Sequence, residues 1–241
     1  MKRKTVKMFA LAFVALALVL GVARRAQSEE AKTPYPSMAP LDQYLMADRN
    51  AEIALARSAA PLSISRDATI MVLGTRGYET AVEGKNDFVC LVERAWMGPF
   101  DSREFWNPKN RGPICFNPPA ARSIFPITML RTKLVLAGES KAEINESMKA
   151  AIEKQELPTI EPGGMSYMMS RQGRLNDSAG HWRPHLMFYV PLTDAMTWGA
   201  DLPGSPVLLN PHFIGAPEPA TEFMVPVSEW SDGTPANTDA H

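Results

Sequence analysis

Residues 69–96 read TIMVLGTRGYETAVEGKNDFVCLVERAW, and this stretch decides the fold class. Thr69 to Leu73 is a short apolar run closed by a turn at Gly74-Thr-Arg-Gly77. Tyr78, Thr80 and Val82 then alternate with Glu79, Ala81 and Glu83, as a half-buried strand requires. A second turn, Gly84-Lys-Asn-Asp87, leads into Phe88 to Trp96, where Cys90 and Val92 share the face of Phe88. Three strands joined by two short turns predict an antiparallel meander.

On the N-terminal side, Leu41 to Ala59 is rich in helix formers, and Tyr44, Leu45, Ile53 and Ala56 fall on one stripe. Pro61 ends this predicted helix. On the C-terminal side, residues 97–120 carry Pro99, Pro108, Pro113, Pro118 and Pro119 with Phe100, Phe105, Trp106 and Phe116 between them. No period of 2 or 3.6 runs through them, so they are read as one long aromatic loop. A helix follows over Ser123 to Ala137 with Pro126 in its first turn. Ser140 and Glu143 have the spacing of a capping box ahead of Ile144, Met148, Ala151 and Ile152, which share a face. Further strands are predicted at 165–170, 185–190 and 222–227, with Pro226 pointing to an edge. On the 185–190 strand, His185, Met187 and Tyr189 are assigned to the outer face and Leu186, Phe188 and Val190 to the core. The expected architecture is a single α+β domain over residues 41–230, with an antiparallel sheet of five or six strands and two or three helices on one face. Residues 29–40 read as a flexible leader and 231–241 as a disordered tail.

The start of the chain is a targeting signal in composition. Lys2, Arg3, Lys4 and Lys7 precede Met8–Val22, an uncharged apolar run of about 15 residues, shorter than a membrane-spanning helix needs. Small residues at Ala26 and Ser28 place signal cleavage after Ser28, with Ala23 and an uncleaved anchor as the alternatives. The whole chain has 25 basic and 26 acidic side chains, net −1. Without the six basic residues of 1–28 it has 19 basic against 26 acidic, net −7. Such a chain is expected to be soluble, periplasmic or extracellular, and not a nucleic-acid binder. In an oxidising compartment, Cys90 and Cys115 are expected to pair as a disulfide rather than stay as free thiols.

Common catalytic and nucleotide signatures are missing: GxSxG, SxxK, HExxH, GxxxxGK[ST] and GxGxxG do not occur. The densest chemistry lies in Leu175-Asn-Asp-Ser-Ala-Gly-His-Trp-Arg-Pro-His185. Asp177 orienting His181 or His185 would make an acid–base group. Pro184 forbids a helix there, and in an extended chain the two histidines lie about 13 Å apart. His212 is a third candidate ligand only if a turn brings them together, so no metal and no cofactor is assigned. A histidine at the start of a strand that only bonds a backbone carbonyl, with Trp182 as a packing lid, would need no function. The methionines of the second half, Met165, Met168, Met169, Met187, Met196 and Met224, have strand-like spacing that reads as soft core filler rather than a Cu(I) run.

The strings GYETAVEGKNDFVCLVER, FWNPK, GGMSYMMS and HWRPHLMFYVP resemble a family of exported bacterial proteins to which no reaction is assigned. The resemblance covers roughly Ala68 to Thr234 and implies export and one domain, with no site residue to carry over. The expected function is therefore a binding or interaction module that uses loop 97–120, with Phe105 and Trp106, and segment 176–185, with Asn176, Trp182 and Arg183. Its partner would be a small molecule or an envelope protein. The alternative is an acid–base or metal-assisted hydrolase built on Asp177, His181 and His185.

Overall fold

In a computed structural model, which describes residues 34–210, 218 and 220–236, the 69–96 stretch forms the first three strands of an eight-stranded mixed sheet. These are β1 (Thr69–Gly74), β2 (Gly77–Val82) and β3 (Val89–Glu93). β1 and β2 form the expected antiparallel hairpin. β3 does not continue the meander: it pairs with β1 in parallel, through Thr69↔Val89 and Ile70↔Cys90. Residues 83–88 wrap around the start of β1, where Lys85 N–H donates to Asp67 O and Thr69 N–H to Phe88 O. Gly84 makes the wrap possible, because a Cβ there would meet Thr69 N at 2.2 Å.

The long loop is shorter than its prolines suggest. Gly112–Phe116 is strand β4, antiparallel to β3, and Pro118–Ser123 is a helix, here α3, capped by Asn117. Cys90 and Cys115 stand directly opposite each other, with Cα atoms 4.0 Å apart, and are bridged. That close approach marks a pair without mutual backbone hydrogen bonds. Pro113, two residues away opposite Val92, has the same parity, so its missing N–H costs the β3 ladder nothing. The remaining strands are β5 (Met165–Met168), β6 (His185–Pro191), β7 (Leu208–Leu209) and β8 (Ala220–Pro226). The sheet order is β2-β1-β3-β4-β5-β6-β8-β7. β8 is thus next to the edge rather than on it, and Pro226 lies beyond the two residues that β7 pairs.

Helices lie on both faces of this sheet, where one covered face was expected. The predicted helix at 41–59 is broken: a 3-10 turn at Leu41–Gln43 is followed by α1 (Arg49–Arg57), whose N-cap Asp48 accepts from Asn50 N–H. α1, the short α2 (Leu62–Ser65) and the turn between them cover the Cys90 face through Leu55 and through Ala56, Ala59 and Ala60, small residues that let the backbone approach closely. α3, α4 (Phe125–Leu136) and α5 (Lys141–Glu153) cover the other face, against Leu91, Ile114 and Phe116. The α5 capping box is present, with Ser140 Oγ and Glu143 Oε2 each accepting from the other residue's N–H. Among the described residues no helix is long and apolar enough to cross a membrane.

Tyr35, Met38 and Ala39, inside the segment expected as leader, lie against the core. Of the segment expected as tail, Ser231–Gly233 turn and Glu229 bridges to Pro235. The targeting segment 1–28, His212 and residues 237–241 lie outside the described residues.

One buried ion pair ties these layers together. Glu52 of α1 accepts from Leu73 N–H at 3.1 Å and from Arg94 Nη2 at 2.8 Å. Arg94 Nε also donates to Tyr44 O, and its Nη1 donates to Val92 O. Glu52→Leu, which leaves the guanidinium buried without its carboxylate, is expected to lower unfolding stability by about 3–5 kcal/mol. The double change Glu52→Leu/Arg94→Met should cost less than Glu52→Leu alone in the same denaturant titration; a double variant less stable than the single one contradicts this role.

Candidate functional site

On β6 the alternation is the reverse of the sequence reading. His185, Met187 and Tyr189 are the buried set, and Leu186, Phe188 and Val190 are only half-buried. The reason is topological: the expected outer face is the one that α3–α5 and the 95–111 segment cover. Register carries this face across the sheet: Met168 opposes His185, Met187 opposes Met224 and Tyr189 opposes Glu222. β3 and β4 add Glu93 and Gly112, which oppose each other.

Between this floor and the segments above it lies a cavity of about 640 Å³. One wall comes from the expected loop, through Met97, Pro99, Glu104 and Asn110; the other comes from Arg174, Asn176, Trp182 and Arg183. The two segments singled out in the sequence therefore meet at one cavity. Arg131 of α4 holds the first wall, with Nη1 donating to the carbonyls of Trp96, Met97 and Gly98, and with Nη2 2.8 Å from Glu218. Trp182 forms the second. Its indole lies against Gly173, where a Cβ would stand 2.5 Å from the ring, and over Gly112.

The individual candidates separate clearly. His185 is buried, lines the cavity and has Nδ1 2.7 Å from Arg183 O. A carbonyl only accepts, so Nδ1 carries the proton in the neutral ring and Nε2 is left as a lone-pair donor. Burial holds the His185 pKa below its ordinary value. His181 is exposed, with Nδ1 near Trp182 O and its ring edge-on to Trp230. Asp177 is also exposed; it accepts from Tyr35 and Arg174 and faces Lys109 at 3.7 Å. Those hydrogen bonds hold its pKa down at about 2. The Asp177–histidine pairing is thus replaced by a latch between segment 174–177 and Tyr35. Phe105 and Trp106 are core side chains, packed edge to face, and do not line the cavity. Asn176 and Arg183 do line it, though Asn176 Oδ1 is engaged by the N–H groups of Ser178 and Ala179.

Other groups escaped the sequence reading. Glu93 lines the cavity, accepts from Thr128 Oγ1 at 3.0 Å, and is pushed up to about 7 by burial. Its remaining surface faces the cavity rather than bulk water, so desolvation still acts on it. Glu222, fully buried and bonded by Asn210 Nδ2, is pushed up to about 8, again by burial and then by the charges of Glu93 and Glu218. Three buried polar atoms of cavity-lining residues, Trp182 Nε1, Arg174 Nε and Asn110 Oδ1, have no hydrogen-bond partner among the described residues. Two are donors and one is an acceptor. Among the described residues no three His, Cys, Asp or Glu side chains converge as a metal site.

The two raised carboxyls set a pH dependence. A carboxyl with a folded pKa above its unfolded one stabilises the fold fully in acid and loses that contribution as pH rises through the folded pKa. Unfolding midpoints are expected to fall between about pH 5 and pH 8, and Glu93→Gln/Glu222→Gln should flatten the decline over the alkaline half. A wild-type profile that rises across pH 6.5–8, or a double variant with an unchanged slope, contradicts the assignment.

Comparison with protein families, curated proteins and solved structures finds no match to this chain.

Proposed function

We propose that this is an exported binding protein that takes a small, largely apolar molecule into the cavity between residues 97–110 and 174–187. The observation that carries the reading is the set of unpartnered buried atoms, Trp182 Nε1, Arg174 Nε and Asn110 Oδ1, on residues lining a largely apolar space. An unpaired buried polar atom is costly, and a ligand that accepts from the N–H groups and donates to the amide oxygen removes the cost. The cavity volume suits a small molecule, and such sites combine apolar walls with a few placed polar groups. Flexible methionine side chains adapt to varied apolar shapes. Export is supported by the charged and apolar start of the chain, by the resemblance of its strings to exported proteins, and by the Cys90–Cys115 bridge.

The test uses the exported product, whose first residue is expected to be Glu29. At neutral pH, 2-naphthol, an apolar body with one donor–acceptor hydroxyl, should raise the melting temperature, whereas glucose and a tripeptide should not. Trp182→Phe and Asn110→Ala should each weaken naphthol binding about fivefold, as loss of one hydrogen bond does. No stabilisation by naphthol, or equal stabilisation of both variants, contradicts the cavity reading. A product that retains residues 1–28 contradicts cleaved export.

A further inference from the structure

Three of the six methionines singled out in the second half share one face of the sheet. Met168, Met187 and Met224 sit with His185 on three adjacent strands, all on the cavity face. Met168 is directly opposite His185, and Met187 directly opposite Met224. His185 and Met187 are two apart on β6 and so share a face. Opposed side chains start about 5 Å apart and same-face neighbours about 7 Å apart, so His185, Met187 and Met224 form a triangle small enough for long, flexible thioethers and the ring to reach one point, with Met168 beside His185 on the far side.

We propose that this patch is a binding site for a soft monovalent cation, Cu(I) or Ag(I), ligated by the Sδ atoms of Met187 and Met224 and by Nε2 of His185. Thioethers and imidazole together select Cu(I) over hard or divalent ions. Both cysteines are in the bridge, so no thiol among the described residues competes for a soft metal. All three donors are neutral. A single positive charge is the easiest to place in such a buried space, because desolvation penalises a dication more. The histidine is already held as metal-bound histidines usually are: Nδ1–H donates to the Arg183 carbonyl, which fixes the ring and turns Nε2 toward the metal role. The Trp182 ring, edge-on to His185 at 6.2 Å, closes the patch from above.

This inference goes beyond the apolar-ligand reading and fails separately from it. The experiment titrates the full exported chain with Ag(I) in chloride-free buffer, and with Cu(I) in competition with bicinchoninate, counting bound ions by native mass spectrometry. One ion per chain is expected, with no comparable binding of Zn(II). Met187→Leu/Met224→Leu, which preserves side-chain volume, should keep the wild-type melting temperature but lose more than about 100-fold in Ag(I) affinity. Met196→Leu, at an exposed methionine outside the patch, should change nothing. No 1:1 complex, or equal Ag(I) affinity in the double variant, overturns the proposal. So does a loss as large in Met196→Leu. His185→Gln gives an independent check in the same titration, and undiminished affinity there also overturns it.

Discussion

The buried Glu52–Arg94 pair is the interaction on which the layers depend. Its carboxylate leaves α1 on one side of the sheet and holds both the β1 backbone at Leu73 and the guanidinium that follows β3. Arg94 in turn holds the Tyr44 carbonyl and lines the cavity. One ion pair therefore sets the position of α1, the end of β3 and the point where the chain leaves the sheet to build the cavity wall. Both charges are almost wholly withdrawn from water, so each is tolerable only while the other is present.

The two faces of the sheet solve different problems. On the Cys90 face, alanines and a disulfide give a thin, closed layer: Ala56, Ala59, Ala60 and Ala68 surround the bridge. On the other face α4 packs Ile127 and Val135 into the core and adds Arg131 and Thr128, polar side chains that reach carbonyls and Glu93. The cavity there is lined by Trp182 and by Met97, Met168, Met187 and Met224, and the proposed binding rests on this second arrangement.

Local signals were the legible part of the sequence. The β1–β2 hairpin, the α5 capping box and the pairing of Cys90 with Cys115 all depend on residues close in sequence or on simple counting. The parallel docking of β3 was not legible, because a short connection past Asp87 reads as a hairpin unless the wrap at Gly84 is known. β4 was hidden by Pro113, which is harmless only because of its parity opposite Val92. The same limit affected the site. Both cavity segments and His185 stood out by composition, yet which face of β6 is buried depends on helices far away in the chain. That choice put Met187 and His185 outside the core on paper and into the cavity in space. Glu93 gave no signal at all, since a strand-end glutamate is ordinarily solvated.

The central claim is that recognition takes place inside this cavity and nowhere else on the surface. Selective ¹³C labelling of the methionine methyl groups tests it directly, because the 14 methionines are spread through the chain. On saturation with 2-naphthol, the resonances of Met97, Met168, Met187 and Met224 are predicted to shift together, while those of Met38, Met46, Met129 and Met148 stay fixed. Shifts centred on the exposed Met196, or distributed evenly over all the methyls, would contradict the account.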